Sequence, residues 1–299
     1  MASYARTTNI THPYMSINSV ITEVSEHTDT DTDSLPDLDQ VFMTVQEKPA
    51  SSTTRPSADP YSELRPPLRN ATRTDITAII ARLYSDNDAD VGYAAESLGQ
   101  LASTTQPGIE SIYKDAIVRA GAIPPLVSLL SSFGRMVALW SLYAIAQIIN
   151  KNPIGVEALM RVNGLPALVS FLSSSNETEA LFATGAVGSI AGTNITNKIA
   201  CVSAGAVPAL AGLLLSHAPR QTPTPRQTPT PRQPDHLICA INALMNIVAG
   251  NKQCVEACCY LLPMIESRWK HPLQTPNYAV IAKLRDTIRE QCVKYGVSY

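Results

Sequence analysis

Three stretches decide how this chain folds: Ala120-Gly-Ala-Ile-Pro124-Pro-Leu-Val-Ser-Leu-Leu130, Val162-Asn-Gly-Leu-Pro166-Ala-Leu-Val-Ser-Phe-Leu172 and Ala204-Gly-Ala-Val-Pro208-Ala-Leu-Ala-Gly-Leu-Leu214. They register without a gap. Pro124 and Pro166 are 42 positions apart, and so are Pro166 and Pro208. A weaker fourth copy, Tyr260-Leu-Leu-Pro263-Met-Ile265, comes 55 positions after Pro208. Self-similarity at a period of about 20–50 residues marks a stacked unit that cannot bury its apolar face alone.

Each copy reads as a corner between two helices. Gly121, Gly164 and Gly205 each end a short helix, where glycine takes the left-handed conformation without a Cβ clash. The Pro that follows falls in the first turn of the next helix, where a missing N–H leaves nothing unpaired. A longer apolar helix completes each unit: Ala138–Ile149, Ala180–Ala191 and Leu237–Ala249, with Tyr93–Ala102 as an earlier relative. Upstream, Thr74 or Asp75 can cap a helix in which Ile76, Ile79, Ile80 and Leu83 recur at helical spacing. No run alternates with period two. The body is all-α.

Composition agrees. The chain has 299 residues, of which 45% are hydrophobic but only 4 are Phe and 2 Trp. A core of Leu, Ile, Val and Ala suits closely packed helices. The net charge of −2 gives no strong pull on nucleic acid or an acidic membrane. Residues 1–70 differ from the rest, with ten acidic and five basic side chains against fifteen and eighteen in 71–299. This first segment is rich in Ser, Thr, Asp and Pro and reads as a disordered acidic tail. No secretory signal or run of about 18 apolar residues stands out, so cytoplasm is the expected location, with nucleus open. The six cysteines lie in apolar, helical text and read as reduced core residues.

A short helix, a Gly corner, a Pro-started helix and a longer third helix, at a period of 42, resemble the armadillo repeat. The likeness covers residues 71–299, read as units of about 72–113, 114–155, 156–197, 198–251 and 252–299. It implies a right-handed superhelix of helices, an armadillo-type solenoid, whose terminal units are atypical because one face meets water.

The resemblance also implies where a partner sits. In the nuclear-import adaptors of that family, Trp and Asn four residues apart on the third helix hold an extended peptide. Carried over by aligning third helices, the Trp position is Glu96, Trp140, Gly185 and Asn242. The Asn position is Gln100, Ala144, Ser189 and Asn246. Trp and Asn never meet in one unit, so the paired arrays that read basic peptides are absent. What remains is a groove with polar amides (Gln100, Gln147, Asn242, Asn246) and one large aromatic, Trp140. Gly185-Ala-Val-Gly188-Ser-Ile-Ala-Gly192 puts three glycines in a helix. Each costs up to about 1 kcal/mol against Ala, which calls for close helix approach or room for a partner.

Between a second and a third helix lies an insert, about residues 218–234, in which Pro-Arg-Gln-Thr-Pro-Thr is repeated. Thr222, Thr224, Thr228 and Thr230 each precede Pro and are candidate phosphorylation sites. No nucleophile elbow, phosphate-binding loop, paired-His metal motif or dinucleotide fingerprint occurs. The expectation is therefore no enzyme, no catalytic residue, no metal, no cofactor and no small-molecule substrate. The function expected is a protein-interaction scaffold or adaptor binding an extended partner segment. The alternative is a subunit of a larger assembly of ubiquitin-ligase, cytoskeletal or ciliary type; import adaptor ranks below both.

Overall fold

The computed structural model describes residues 71–104, 109–132, 134–216, 235–269 and 278–299. The tail read over 1–70 and the whole insert, and with it Thr222, Thr224, Thr228 and Thr230, lie outside the described residues. Among the described residues there are α-helices and no strand. In chain order they are α1 (Arg73–Arg82), α2 (Asp88–Ala102), α3 (Ile109–Arg119), α4 (Ile123–Leu129), α5 (Arg135–Ile149), α6 (Pro153–Arg161) and α7 (Leu165–Phe171). Then come α8 (Glu177–Ala191), α9 (Ile195–Ser203), α10 (Ala206–Ser216), α11 (Asp235–Val248), α12 (Lys252–Cys258), α13 (Leu261–Arg268) and α14 (Tyr278–Tyr295).

The first unit contributes α1 and α2, and four three-helix units follow. Counted by helices these begin at Ile109, Pro153, Ile195 and Lys252. The borders expected at 114, 156 and 198 fall inside α3, α6 and α9. The Pro corner marks the middle of a unit, so stepping a period from it cut into the first helices. The last unit is complete, with α12, α13 and α14 all present. Third helices also start earlier than apolar text suggests, because polar first turns capped by Asn87 and Asn176 precede the apolar stretch in α2 and α8. The first helix starts earlier too. Thr72, not Thr74 or Asp75, is its cap, and Asp75 returns a bond to the Thr72 backbone in a capping box.

The stack is serial. Each third helix packs on the next, α2 on α5, α5 on α8, α8 on α11 and α11 on α14. Each second helix lies against the third helix of its own unit, and α3 packs on α6 as α9 does on α12. Burial repeats with the units. Leu98, Ile145, Val187 and Leu244 are all inaccessible, as are Ile148, Ile190 and Ile247 three positions on. At the C-terminal end α14 buries Ile281, Leu284, Ile288 and Cys292 and turns Lys283, Asp286, Arg289 and Glu290 outward. That polar face is what a terminal unit needs.

Two of the three corners are built as expected. Gly121 and Gly205 have φ of +84° and +80°. The third is a correction: Gly164 has φ of −75°, and the left-handed residue is Asn163 at +53°. Counted from proline, Asn163 is the true counterpart of Gly121 and Gly205, and Asn tolerates this region better than most residues. Gly164 is needed for space instead. A Cβ there would come 2.6 Å from Leu159 Cδ1 and 3.1 Å from Val127 Cγ2.

Two third helices are closed by a lysine reaching over from the first helix of the same unit. Lys114 Nζ donates to the Asn150 carbonyl at 2.7 Å and also holds Glu110, and Lys198 Nζ donates to the Ala249 carbonyl at 2.7 Å. An ammonium placed there satisfies orphan carbonyls and complements the negative end of the helix dipole. Burial pulls the pKa of both lysines down, and Glu110 partly opposes this at Lys114. The unit between them has Val156 at the matching position.

All six cysteines are free thiols, five buried and Cys259 half-buried. Burial raises the thiol pKa of Cys201 and Cys258 to about 12. No single helix among the described residues is long and apolar enough to cross a membrane.

Candidate functional site: the third-helix face

One face of α2, α5, α8 and α11 carries two rows of mostly half-buried positions. The burial register sets their membership. Ser97, Ala144, Ala186 and Ala243 are equivalent buried positions, immediately before the inaccessible Leu98, Ile145, Val187 and Leu244. One row is then Glu96, Tyr143, Gly185 and Asn242. The other is Gln100, Gln147, Ser189 and Asn246.

This corrects the carried-over alignment in α5, which is displaced by three residues. Ala144 is wholly buried at 0% exposure and faces α2, its Cα lying 3.2 Å from where a Gly99 Cβ would sit. It is not a groove residue. Tyr143 and Gln147 take the places assigned to Trp140 and Ala144. The Trp–Asn spacing drew the alignment to the one tryptophan available. The apolar spacing Leu142, Ile145, Ile148, Ile149, all inaccessible, was the signal that fixes the true register.

The eight predicted groove residues differ in what they have to offer. Glu96 is 4% exposed and accepts from Gln100 Nε2 at 2.8 Å, so the pair at α2 is closed on itself. Trp140 is half-buried, with its Cδ1 3.7 Å from a Cβ placed on Gly92 and its ring edge-on to Tyr143, centroids 5.9 Å apart. Ser189 Oγ donates to the Gly185 carbonyl at 2.9 Å within its own helix. Asn246 Nδ2 donates to the Gly188 carbonyl at 3.1 Å, which ties α11 to α8. Gln147 and Asn242 are half-buried and have no hydrogen-bond partner among the described residues.

Tyr143 is the member that sequence reasoning missed. Its ring lies across α2, over Gly99, where an added Cβ would fall 2.4 Å from Tyr143 Cε1. Its hydroxyl meets Ser103 Oγ at 3.2 Å. On the other side the ring stands 5.1 Å from Phe182 of α8, centroid to centroid. Burial raises the phenol pKa, and the charge of Glu96 adds to that effect while the Ser103 bond opposes it. Trp140, Tyr143 and Phe182 thus form a chain of rings from α5 to α8.

The three glycines of α8 separate by role. A Cβ on Gly188 would lie 3.5 Å from Ala243 Cβ, so α8 and α11 approach closely there. Gly192 would meet the Asn246 amide at 3.4 Å. Gly185 would meet nothing within 4 Å. Its place in the row is an open notch between Tyr143 on α5 and Asn242 on α11.

No protein-family model and no curated protein matches the chain. Solved structures do. A computationally designed armadillo repeat protein for modular peptide recognition is 22% identical over 73% of this chain and 82% of its own, with a TM-score of 0.59. A designed armadillo repeat protein in complex with the peptide (KR)4 shares the same identity, coverage and TM-score. The armadillo repeats only protein from Plasmodium falciparum is 16% identical, covering 74% of this chain and 92% of its own, again with a TM-score of 0.59. The likeness shows the fold: the described residues form an armadillo-type solenoid.

Proposed function

We propose that the chain is a non-catalytic protein-interaction scaffold that holds an extended segment of a partner along the third-helix face. One observation carries the proposal: Gln147 and Asn242, whose side-chain amides have no hydrogen-bond partner among the described residues, lie on either side of the open notch at Gly185. An amide supplies both a donor and an acceptor, which is what a main-chain peptide group requires. Helices that pack at about 8–10 Å place the amides of α5 and α11 roughly 20 Å apart. About six residues of extended chain span that distance. The designed relatives named for peptide recognition support the reading. A cytoplasmic location, with nucleus open, belongs to the same proposal.

Affinity purification with the full chain as bait tests it. Gly185→Arg places a bulky side chain where an added Cβ would meet nothing within 4 Å, and Gln147→Ala removes an amide. The two changes together are expected to abolish retention of the principal partner. Undiminished retention by the double variant, folded by circular dichroism, removes the third-helix face as the binding surface. A second reading, use of the solenoid ends within a larger assembly, is favoured by the exposure of Val293 at 77%, Tyr84 at 70% and Tyr299 at 60%. Native mass measurement showing a stoichiometric complex that survives the double variant would support that second reading.

A further inference from the structure

The face of α5, α8 and α11 is uncharged, and this selects its guest. We infer that the segment held there is a neutral extended stretch with one large apolar side chain, seated in the notch at Gly185 and bonded through its main chain by Gln147 and Asn242. The inference rests on the scaffold reading above.

The row positions on these three helices are Tyr143, Gln147, Gly185, Ser189, Asn242 and Asn246, and none is an acid or a base at neutral pH. A guest lysine, arginine or carboxylate brought against them would give up hydration and find no counter-charge. Desolvating an unpaired charge is strongly unfavourable. A neutral guest has no such loss. The acid of the face, Glu96, stands apart on α2, where it is buried and holds Gln100.

The notch suits an apolar group. Phe182 lies three residues before Gly185 and therefore on the same side of α8. Its ring is tilted against that of Tyr143, centroids 5.1 Å apart, so the aromatic pair borders the notch without filling it, since a Cβ on Gly185 would meet nothing within 4 Å. A Leu, Ile, Met or Phe side chain entering beside those rings would be drawn partly out of water, which favours binding. Ser189 and Asn246 already have partners in the protein, so main-chain recognition falls to Gln147 and Asn242.

The test is to pan a random dodecapeptide display library on the full chain and to measure the enriched peptides, with (KR)4 alongside, by fluorescence anisotropy. The expected consensus is uncharged with one large apolar residue. Binding of these peptides is expected to fall at least about tenfold in Gly185→Leu and in Gln147→Ala/Asn242→Ala, the scale of losing an interface anchor. The peptide (KR)4 is expected to bind at least about tenfold more weakly than the consensus. If Gly185→Leu does not melt cooperatively, Gly185→Ser takes its place with the same direction expected. A charged consensus that still loses binding in Gly185→Leu overturns this inference and leaves the scaffold reading standing. Enriched peptides indifferent to all these substitutions, or no enrichment at all, overturn both.

Discussion

Gly185→Ala isolates one energetic term. In most buried helices a glycine-to-alanine change mixes helix propensity with a steric collision, but at Gly185 the new methyl meets no heavy atom within 4 Å. The residue sits nine positions into the fifteen-residue α8, well away from both ends. Only the backbone term is left, which in a helix interior favours Ala by about 0.8–1.0 kcal/mol. For a folded body of roughly 150–250 residues, 1 kcal/mol moves the melting temperature by about 2–4 °C. Differential scanning calorimetry of the full chain should therefore show a rise of about 2–4 °C. Gly99→Ala is the control, since its methyl would fall 2.4 Å from the Tyr143 ring and 3.2 Å from the Ala144 Cα. Overpacking of that kind costs about 1–3 kcal/mol, so this variant should melt lower. An unchanged or lowered melting temperature for Gly185→Ala would mean that the notch is filled by packing, and the reasoning about an open site would fail with it.

Other expectations concern the corners, the lysines and the thiols. Gly164→Ala should lose about 1–3 kcal/mol in urea unfolding, because its Cβ would press on Leu159 and Val127. Asn163→Gly should be neutral or slightly stabilising at the left-handed position, and the reverse ranking would contradict the corner geometry. Lys198→Met should cost about 1.5–3 kcal/mol by leaving the Ala249 carbonyl without its charged donor; a calorimetric melt that does not move would show the bond to be idle. In Cys201 and Cys258 the folded pKa is about 12, above the ordinary thiol value of 9.0. Their contribution is complete below the unfolded pKa and is lost as pH rises towards the folded one, because the native state then holds protons the unfolded chain has released. Urea midpoints should accordingly fall between pH 9 and 12, and a double Ala variant should flatten that decline. At neutral pH an alkylating reagent should modify half-buried Cys259 before the buried thiols.

The fold was legible because its decisive signals are local. Gly or Asn in the left-handed region and Pro in the first helical turn are constraints on single backbone positions, and they recur at a fixed step. The helices they separate could hardly be misread. Unit borders were harder, since the link from α5 to α6 turns on Lys151 at φ of +54° rather than on a glycine. The site was only half legible. Gly185, Gln147 and Asn242 can be picked out from the third-helix text, but whether an amide is available depends on the neighbouring helix. Asn246 looks equivalent to Asn242 in sequence and differs only because the Gly188 carbonyl comes within 3.1 Å of it. Tyr143 was passed over because a tryptophan three residues away satisfied the expected spacing. Its ring can lie where it does only because Gly99, on a different helix, has no side chain.

The connection between α10 and α11 has a practical consequence. These helices pack on each other and on the rest of their unit, so their association does not depend on the 217–234 link that joins them. Lengthening such a link costs only about 0.6 kcal/mol per doubling. A fluorescent reporter or a degradation tag inserted at this point is therefore expected to leave the spacing of α5, α8 and α11 unchanged. For a protein whose partner is to be found by capture, that is a natural place to attach the handle.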